Sequence, residues 1–62
     1  MPYVVRIVIK HNNGQWKEDK HYFPNYDDAY SYMTKLANHM YKKMIAKEIE
    51  TYNVSIQPYH GV

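Results

Sequence analysis

The sequence predicts an α+β domain in which a three-stranded antiparallel sheet, with strand order 2-1-3, carries one long helix on one face. Three observations lead to this prediction. A segment rich in β-branched residues ends at an Asn-Gly turn signal, about twenty residues then show apolar positions at helical spacing, and a short alternating segment follows. The chain order is therefore ββαβ, and residues 1–62 form one small domain.

The first predicted strand runs from Tyr3 to His11 and is rich in Val and Ile, which favour strands. Its odd positions are all apolar, whereas its even positions mix apolar and basic residues: Val4, Arg6, Val8 and Lys10. We expect the odd face to pack into the core and the even face to be left partly exposed, because side chains alternate along a strand.

A hairpin follows the first strand. Asn13-Gly14 between extended segments favours a two-residue type I′ turn, and the second strand then runs from Trp16 to Phe23. Four consecutive charged residues indicate an edge strand, since charges discourage pairing with another chain. With a two-residue turn, Trp16 and Tyr22 share the core face. A bulged three-residue turn would reverse the two faces of the second strand.

The long helix is predicted from Asn25 to about Lys47. Asn25 is placed to cap it, and Asp27 and Asp28 lie in the first turn, where the helix dipole favours negative charge. Its core stripe comprises Ala29, Met33, Leu36, Met40 and Met44, with Ala37 and Tyr26 at the edge. We expect the helix to fray or bend between Ala46 and Glu50.

Two isoleucines near the end of this helix fall outside the core stripe. If the helix continues, Ile45 and Ile49 lie one turn apart and point away from the sheet. A helix of about 20 residues spans ~30 Å and a strand of eight ~26 Å, so the helix should overhang the sheet.

The third predicted strand is Thr51 to Gln57, in which apolar and polar residues alternate before Pro58. Because a helix intervenes, this strand should lie parallel to the second strand and antiparallel to the first, joined by a right-handed crossover. The first strand is the most apolar and takes the central position.

Composition sets aside several kinds of chemistry. The chain has no cysteine, so it can form neither a disulfide nor a thiolate metal site, and this fits a reducing, cytoplasmic location. The four histidines lack metal-ligand spacing, and no nucleophile motif or glycine-rich phosphate loop is present. We expect no catalytic residues, cofactor, metal, small-molecule substrate, signal peptide or membrane span.

A protein partner or self-association is the leading expectation for function. A domain of 62 residues is close to the lower limit for independent folding, so association would add burial that the core alone lacks. The expected surface combines the even face of the first strand with the two outward isoleucines: Val4, Arg6, Val8, Lys10, Ile45 and Ile49. We therefore predict a non-catalytic interaction module, homodimeric, that acts by binding another protein.

Nucleic-acid binding is the alternative. The chain has a net charge of +2 and eight tyrosines, and cations beside aromatic rings are typical of such proteins. The contacts would come from the outer face of the helix, at Lys35, His39, Lys42 and Lys43, or from the basic residues of the sheet. The helical stretch is neutral over its length, however, and lysines on a solvated helix face are ordinary.

A cysteine-free single domain of this size, rich in Tyr, Lys and Met, resembles accessory proteins encoded by bacteriophages. The likeness is one of size and composition. It implies that the chain inhibits a host enzyme by binding it, as many of those proteins do.

Overall fold

The computed structural model describes residues 2–60 and shows a three-stranded sheet with one helix. The elements are β1 (Tyr3–Lys10), β2 (Trp16–Phe23), α1 (Tyr26–Ile45) and β3 (Thr51–Pro58). Strand β1 lies in the centre and is antiparallel to both neighbours, in the order β2-β1-β3. The predicted α+β class, the ββαβ order and the strand order 2-1-3 are confirmed.

The turn between β1 and β2 is the bulged alternative. The Gly14 amide donates to the His11 carbonyl at 2.9 Å, and the His11 amide donates to the Gln15 carbonyl at 2.8 Å. Gly14 has φ 89, whereas Asn13 is not among the residues with positive φ. A type I′ turn needs positive φ at both central residues, so the type I′ prediction is wrong and the three-residue loop with a glycine bulge is confirmed.

This turn sets the register of β2 against β1. Lys10 pairs with Trp16 and Val4 pairs with Tyr22, so Trp16 and Tyr22 share the even face of β1. The expectation that Trp16 and Tyr22 lie on the core face is therefore wrong. The side of β2 that faces the helix instead carries Lys17, Asp19, His21 and Phe23.

The core lies between α1 and the odd face of β1. Val5 and Ala29 are fully buried, and Ile7 packs with Met40 and Ile49 in a cluster of buried residues. Partly buried side chains surround this cluster: Ile9, Leu36, Met44, Tyr52 and Val54. One flank of the helix contacts β2 through Tyr32. The centre of the Tyr32 ring lies 5.0 Å from that of His21 and 5.1 Å from that of Phe23.

Both ends of α1 are capped by local hydrogen bonds. The Asn25 side chain accepts a hydrogen bond from the Asp28 amide at 2.9 Å, as predicted for the N-cap. At the other end, the Glu48 amide donates to the Lys43 carbonyl and the Lys47 amide to the Met44 carbonyl. This pair of bonds is a Schellman motif, which requires a left-handed residue, and Lys47 has φ 62.

The end of the helix corrects the expectation for Ile49. Because α1 ends at Ile45 and the chain reverses at Lys47, the side chain of Ile49 returns to the core and is only 6% exposed. Ile45 is 61% exposed. The two isoleucines therefore do not form an outward apolar pair, and Ile49 belongs to the core.

Replacing Lys47 by glycine should stabilise the fold. A residue with a β-carbon pays a steric cost in the left-handed conformation that glycine avoids, partly offset by the greater freedom of glycine in the unfolded chain. We expect Lys47→Gly to raise the free energy of unfolding by about 0.5–1 kcal/mol over Lys47→Ala, which removes the same charge but keeps the β-carbon. Urea denaturation measures this difference, and equal stability of the two variants would contradict the Schellman assignment.

The two isoleucines should differ in their response to the same truncation. Ile49→Val removes one buried methylene group and should lower the free energy of unfolding by about 1 kcal/mol. Ile45→Val is the matched control at an exposed position, where the change should stay within about 0.5 kcal/mol. Urea denaturation of the two variants distinguishes them, and equal effects would show that the chain does not reverse at Lys47.

Candidate functional site

The side of the sheet turned away from α1 carries no covering element within residues 2–60, and we call it the open face. Each strand contributes four side chains to it. They are Trp16, Glu18, Lys20 and Tyr22 from β2, Val4, Arg6, Val8 and Lys10 from β1, and Thr51, Asn53, Ser55 and Gln57 from β3. The open face therefore combines two exposed aromatic rings with three basic residues and one acidic residue.

One end of the open face is built around Trp16. The indole is 60% exposed, and the Lys10 ammonium lies 5.6 Å from the centre of its ring. The same ammonium lies 3.1 Å from a carboxylate oxygen of Glu50, just before β3. This end of the open face therefore presents an exposed indole in contact with the cation of an ion pair.

The centre of the open face holds an unbalanced charge. Arg6 on β1 and Lys20 on β2 are directly opposite each other, and like charges in opposed positions are unfavourable. Arg6 forms an ion pair with Glu18, while Lys20 forms no ion pair with any residue in the range 2–60. The ammonium of Lys20 is therefore available to an external anion.

The other end of the open face contains a hollow beside two tyrosine rings that are in contact. The rings of Tyr22 and Tyr59 meet edge to face, with 4.8 Å between their centres. The hollow has a volume of about 340 Å³ and is lined by Val4, Arg6, Lys20, Tyr22, Gln57, Pro58 and Tyr59. A second, more open hollow of about 430 Å³ adjoins it, with Pro2, Phe23 and Pro24 in its wall. Together the hollows offer apolar walls and two cationic groups.

The structure brings together only part of the surface predicted from the sequence. Arg6, Val8 and Lys10 lie on the open face as expected. Val4 shares this face but is only 9% exposed, and Ile45 lies on the helix, on the other side of the sheet. Sequence reasoning missed the contribution of Trp16 and Tyr22, because it assigned them to the core with the two-residue turn.

The basic residues predicted on the helix lie together on one flank. Lys35, His39, Lys42 and Lys43 recur at helical spacing and lie on the same side of α1 as Tyr32, which contacts β2. Lys42 and Lys43 fall in the last helical turn, where the helix dipole favours positive charge. This basic flank is separated by the edge of β2 from the open face.

The polar and metal-ligating side chains of residues 2–60 are dispersed over the surface of the domain. None of the polar or charged side chains in residues 2–60 is buried, and no group of three or more metal-ligating acidic, histidine or cysteine side chains gathers there. The imidazole of His21 lies against the ring of Tyr32 at a tilted angle. Within this part of the chain, α1 is not apolar enough to cross a membrane.

Comparison with known proteins adds no relative: no protein family model, no curated protein and no solved structure matches the chain.

Trp16 is the only tryptophan in the chain and reports directly on the register of β2. An indole that is 60% exposed should emit at long wavelength in the folded protein, with little further shift on unfolding in urea. Because Lys10 lies over the ring, iodide should quench the emission better than caesium, and Lys10→Gln should reduce this difference. A short-wavelength emission protected from both quenchers would place Trp16 in the core and contradict the register.

Proposed function

We propose that this protein is a non-catalytic interaction module, homodimeric, that binds another protein through the open face. The observation that carries the proposal is the register of β2, which adds Trp16 and Tyr22 to the even face of β1. Tryptophan, tyrosine and arginine are the residues that contribute most binding energy in protein interfaces. Here they share one uncovered surface with Val8 and two lysines.

The chemistry of the open face indicates what the partner presents. The hollow beside Tyr22 and Tyr59 has walls of mixed polarity that include the unpaired Lys20, and the adjoining hollow at Pro2, Phe23 and Pro24 is mostly apolar. An apolar side chain of the partner would fill the hollow, and a neighbouring aspartate or glutamate would pair with Lys20. Such a contact would relieve the repulsion between Lys20 and Arg6 that the free protein carries.

The likeness in composition to bacteriophage accessory proteins favours an enzyme of the host cell as the partner. In that case the module acts by covering a surface of that enzyme. The absence of cysteine is consistent with a reducing location, and we place this interaction in the cytoplasm.

Nucleic acid is the second candidate partner, and the register of β2 against β1 favours it as well. Exposed Trp16 and Tyr22 are rings on which bases can stack, and Arg6, Lys10 and Lys20 could contact phosphates on the same face. The two candidates differ in one measurable respect. Binding to nucleic acid should weaken steeply with salt, in proportion to the phosphates neutralised.

The test is affinity capture from a candidate host lysate on immobilised protein, with and without nuclease. We expect the wild-type protein to capture a protein from the lysate, and we expect this capture to persist after nuclease treatment. Lys20→Glu should abolish capture because it reverses the charge at the hollow, and Tyr59→Ala should weaken it by removing one apolar wall. Lys35→Glu is the matched control, since it makes the same charge change on the helix.

Three outcomes decide between the candidates. Loss of capture with Lys20→Glu but not with Lys35→Glu supports the open face as the protein-binding surface. Equal capture by wild type and both charge variants would exclude it. Capture that disappears with nuclease, together with binding of single-stranded RNA or DNA at about 50 mM salt that is lost as salt rises, would favour nucleic acid instead.

A further inference from the structure

The two outer strands of the sheet differ in their charge. Strand β2 carries four consecutive charged residues, Lys17 to Lys20, which protect its free edge against pairing with another chain. Strand β3 contains no charged residue along Thr51–Pro58. An eight-residue edge strand without charges is a surface to which another strand can pair.

The backbone groups on the free edge of β3 can be assigned from its pairing with β1. The Tyr59 amide donates to the Pro2 carbonyl at 2.8 Å, so odd-numbered residues of β3 point their amides and carbonyls towards β1. The even-numbered residues Tyr52, Val54 and Ile56 therefore point theirs outward. Pro58 also falls on this outer side, where its missing amide costs no bond to β1.

The inward side chains of β3 are incompletely covered by the helix. Val5 and Ile7 on β1 are 0% and 3% exposed, whereas Tyr52, Val54 and Ile56 on β3 are only half-buried. Apolar surface is thus left uncovered along the same edge that carries the free backbone groups.

The flank of α1 nearest this edge is also apolar. Tyr32 marks the flank that contacts β2, so the opposite flank leads towards β3. Four exposed apolar or aromatic side chains and one small residue follow each other there at helical spacing: Tyr26, Tyr30, Ala37, Tyr41 and Ile45. We call these five residues the tyrosine flank.

We infer that a second copy of this chain pairs with the free edge of β3, so that the two β3 strands run antiparallel about a two-fold axis at Val54. This inference rests on the homodimeric part of the proposed function and is independent of what the open face binds. Val54 then pairs with Val54 of the second copy, and Tyr52 pairs with its Ile56. Every outward amide of Tyr52, Val54 and Ile56 finds a carbonyl, because hydrogen-bonded pairs exchange both bonds.

This register is also compatible with the side chains on both faces. On the helix side, the half-buried Tyr52, Val54 and Ile56 of the two copies cover one another. On the open side, Asn53 lies opposite Ser55 of the second copy, so no like charges meet. Moving the axis to Asn53 would set Ile56 opposite Glu50, whose amide already donates to the Lys10 carbonyl. Moving it to Ser55 would set Tyr52 opposite Pro58, which has no amide to donate.

A second copy fits this edge better than an unrelated strand does. The surface carries no charge to select a complementary partner, and it becomes fully hydrogen bonded when it meets itself in one symmetric register. The two sheets then join into one sheet of order 2-1-3-3-1-2, with the tyrosine flanks on one side. Both open faces lie on the other side, free to bind a partner.

Sedimentation equilibrium at high micromolar concentration tests the inference first, and wild type should have twice the mass of one chain. The double variant Asn53→Lys/Ser55→Lys should be monomeric, because it places lysines opposite lysines across the axis. The double variant Asn53→Glu/Ser55→Glu should also be monomeric, because it places glutamates opposite glutamates across the axis. Mixing the two variants should restore the dimer through opposite charges, and far-UV circular dichroism with urea denaturation checks that each is folded.

Amide hydrogen exchange of wild type tests the same edge without any substitution. The amides of Tyr52, Val54 and Ile56 should exchange slowly at high concentration and become fast on dilution. The outward amides of Glu18 and Lys20 on the edge of β2 serve as the control, and their exchange should not depend on concentration.

The outcomes separate this inference from the proposed function. A strictly monomeric wild type overturns both the dimer and this interface. A dimer that survives both double variants, or two variants that fail to associate when mixed, overturns this interface alone. Lys20→Glu, which tests the open face, should leave the dimer intact, so loss of partner capture by that variant cannot be mistaken for loss of dimerisation.

Discussion

A single helix is the only layer that packs on the sheet, and the arrangement of every other surface follows from this constraint. One helix has two flanks and covers one face, so within residues 2–60 it leaves the opposite face of the sheet bare. The helix buries Val5 and Ile7 at the centre but covers the side chains of β3 only in part. Its basic flank turns towards β2, and its tyrosine flank turns towards β3.

The connection after the helix completes the small core. The left-handed Lys47 reverses the chain so that Ile49 fills the space between Ile7 and Met40. The carbonyl of Lys47 accepts a hydrogen bond from the Asn12 side chain at 2.8 Å, which ties the hairpin loop to the end of the helix. Together with the ion pair between Lys10 and Glu50, this bond joins the hairpin to the connection between α1 and β3 in a chain that has no cysteine for a covalent link.

The fold followed from the sequence because its signals were local and agreed with one another: the Asn25 cap, the helical stripe and the alternation in β3. Two features of the structure could not be predicted from the sequence. Asn13-Gly14 suits both a type I′ turn and a bulged loop, and this one-residue ambiguity decided whether Trp16 joined the core or the open face. The position of Ile49 depended on a lysine, rather than a glycine, adopting the left-handed conformation, which sequence patterns rarely indicate.

The length of the hairpin loop, which includes the bulge at Gly14, determines which side chains of β2 lie on the open face. Loops tolerate insertions and deletions more readily than strands do, and deletion of one loop residue would move β2 by one position against β1. The surface bearing Trp16 and Tyr22 would then exchange with the one bearing Asp19 and His21. A change of one codon, far from any binding residue, could in this way give the protein a different recognition surface while its helix and its other strands kept their sequence.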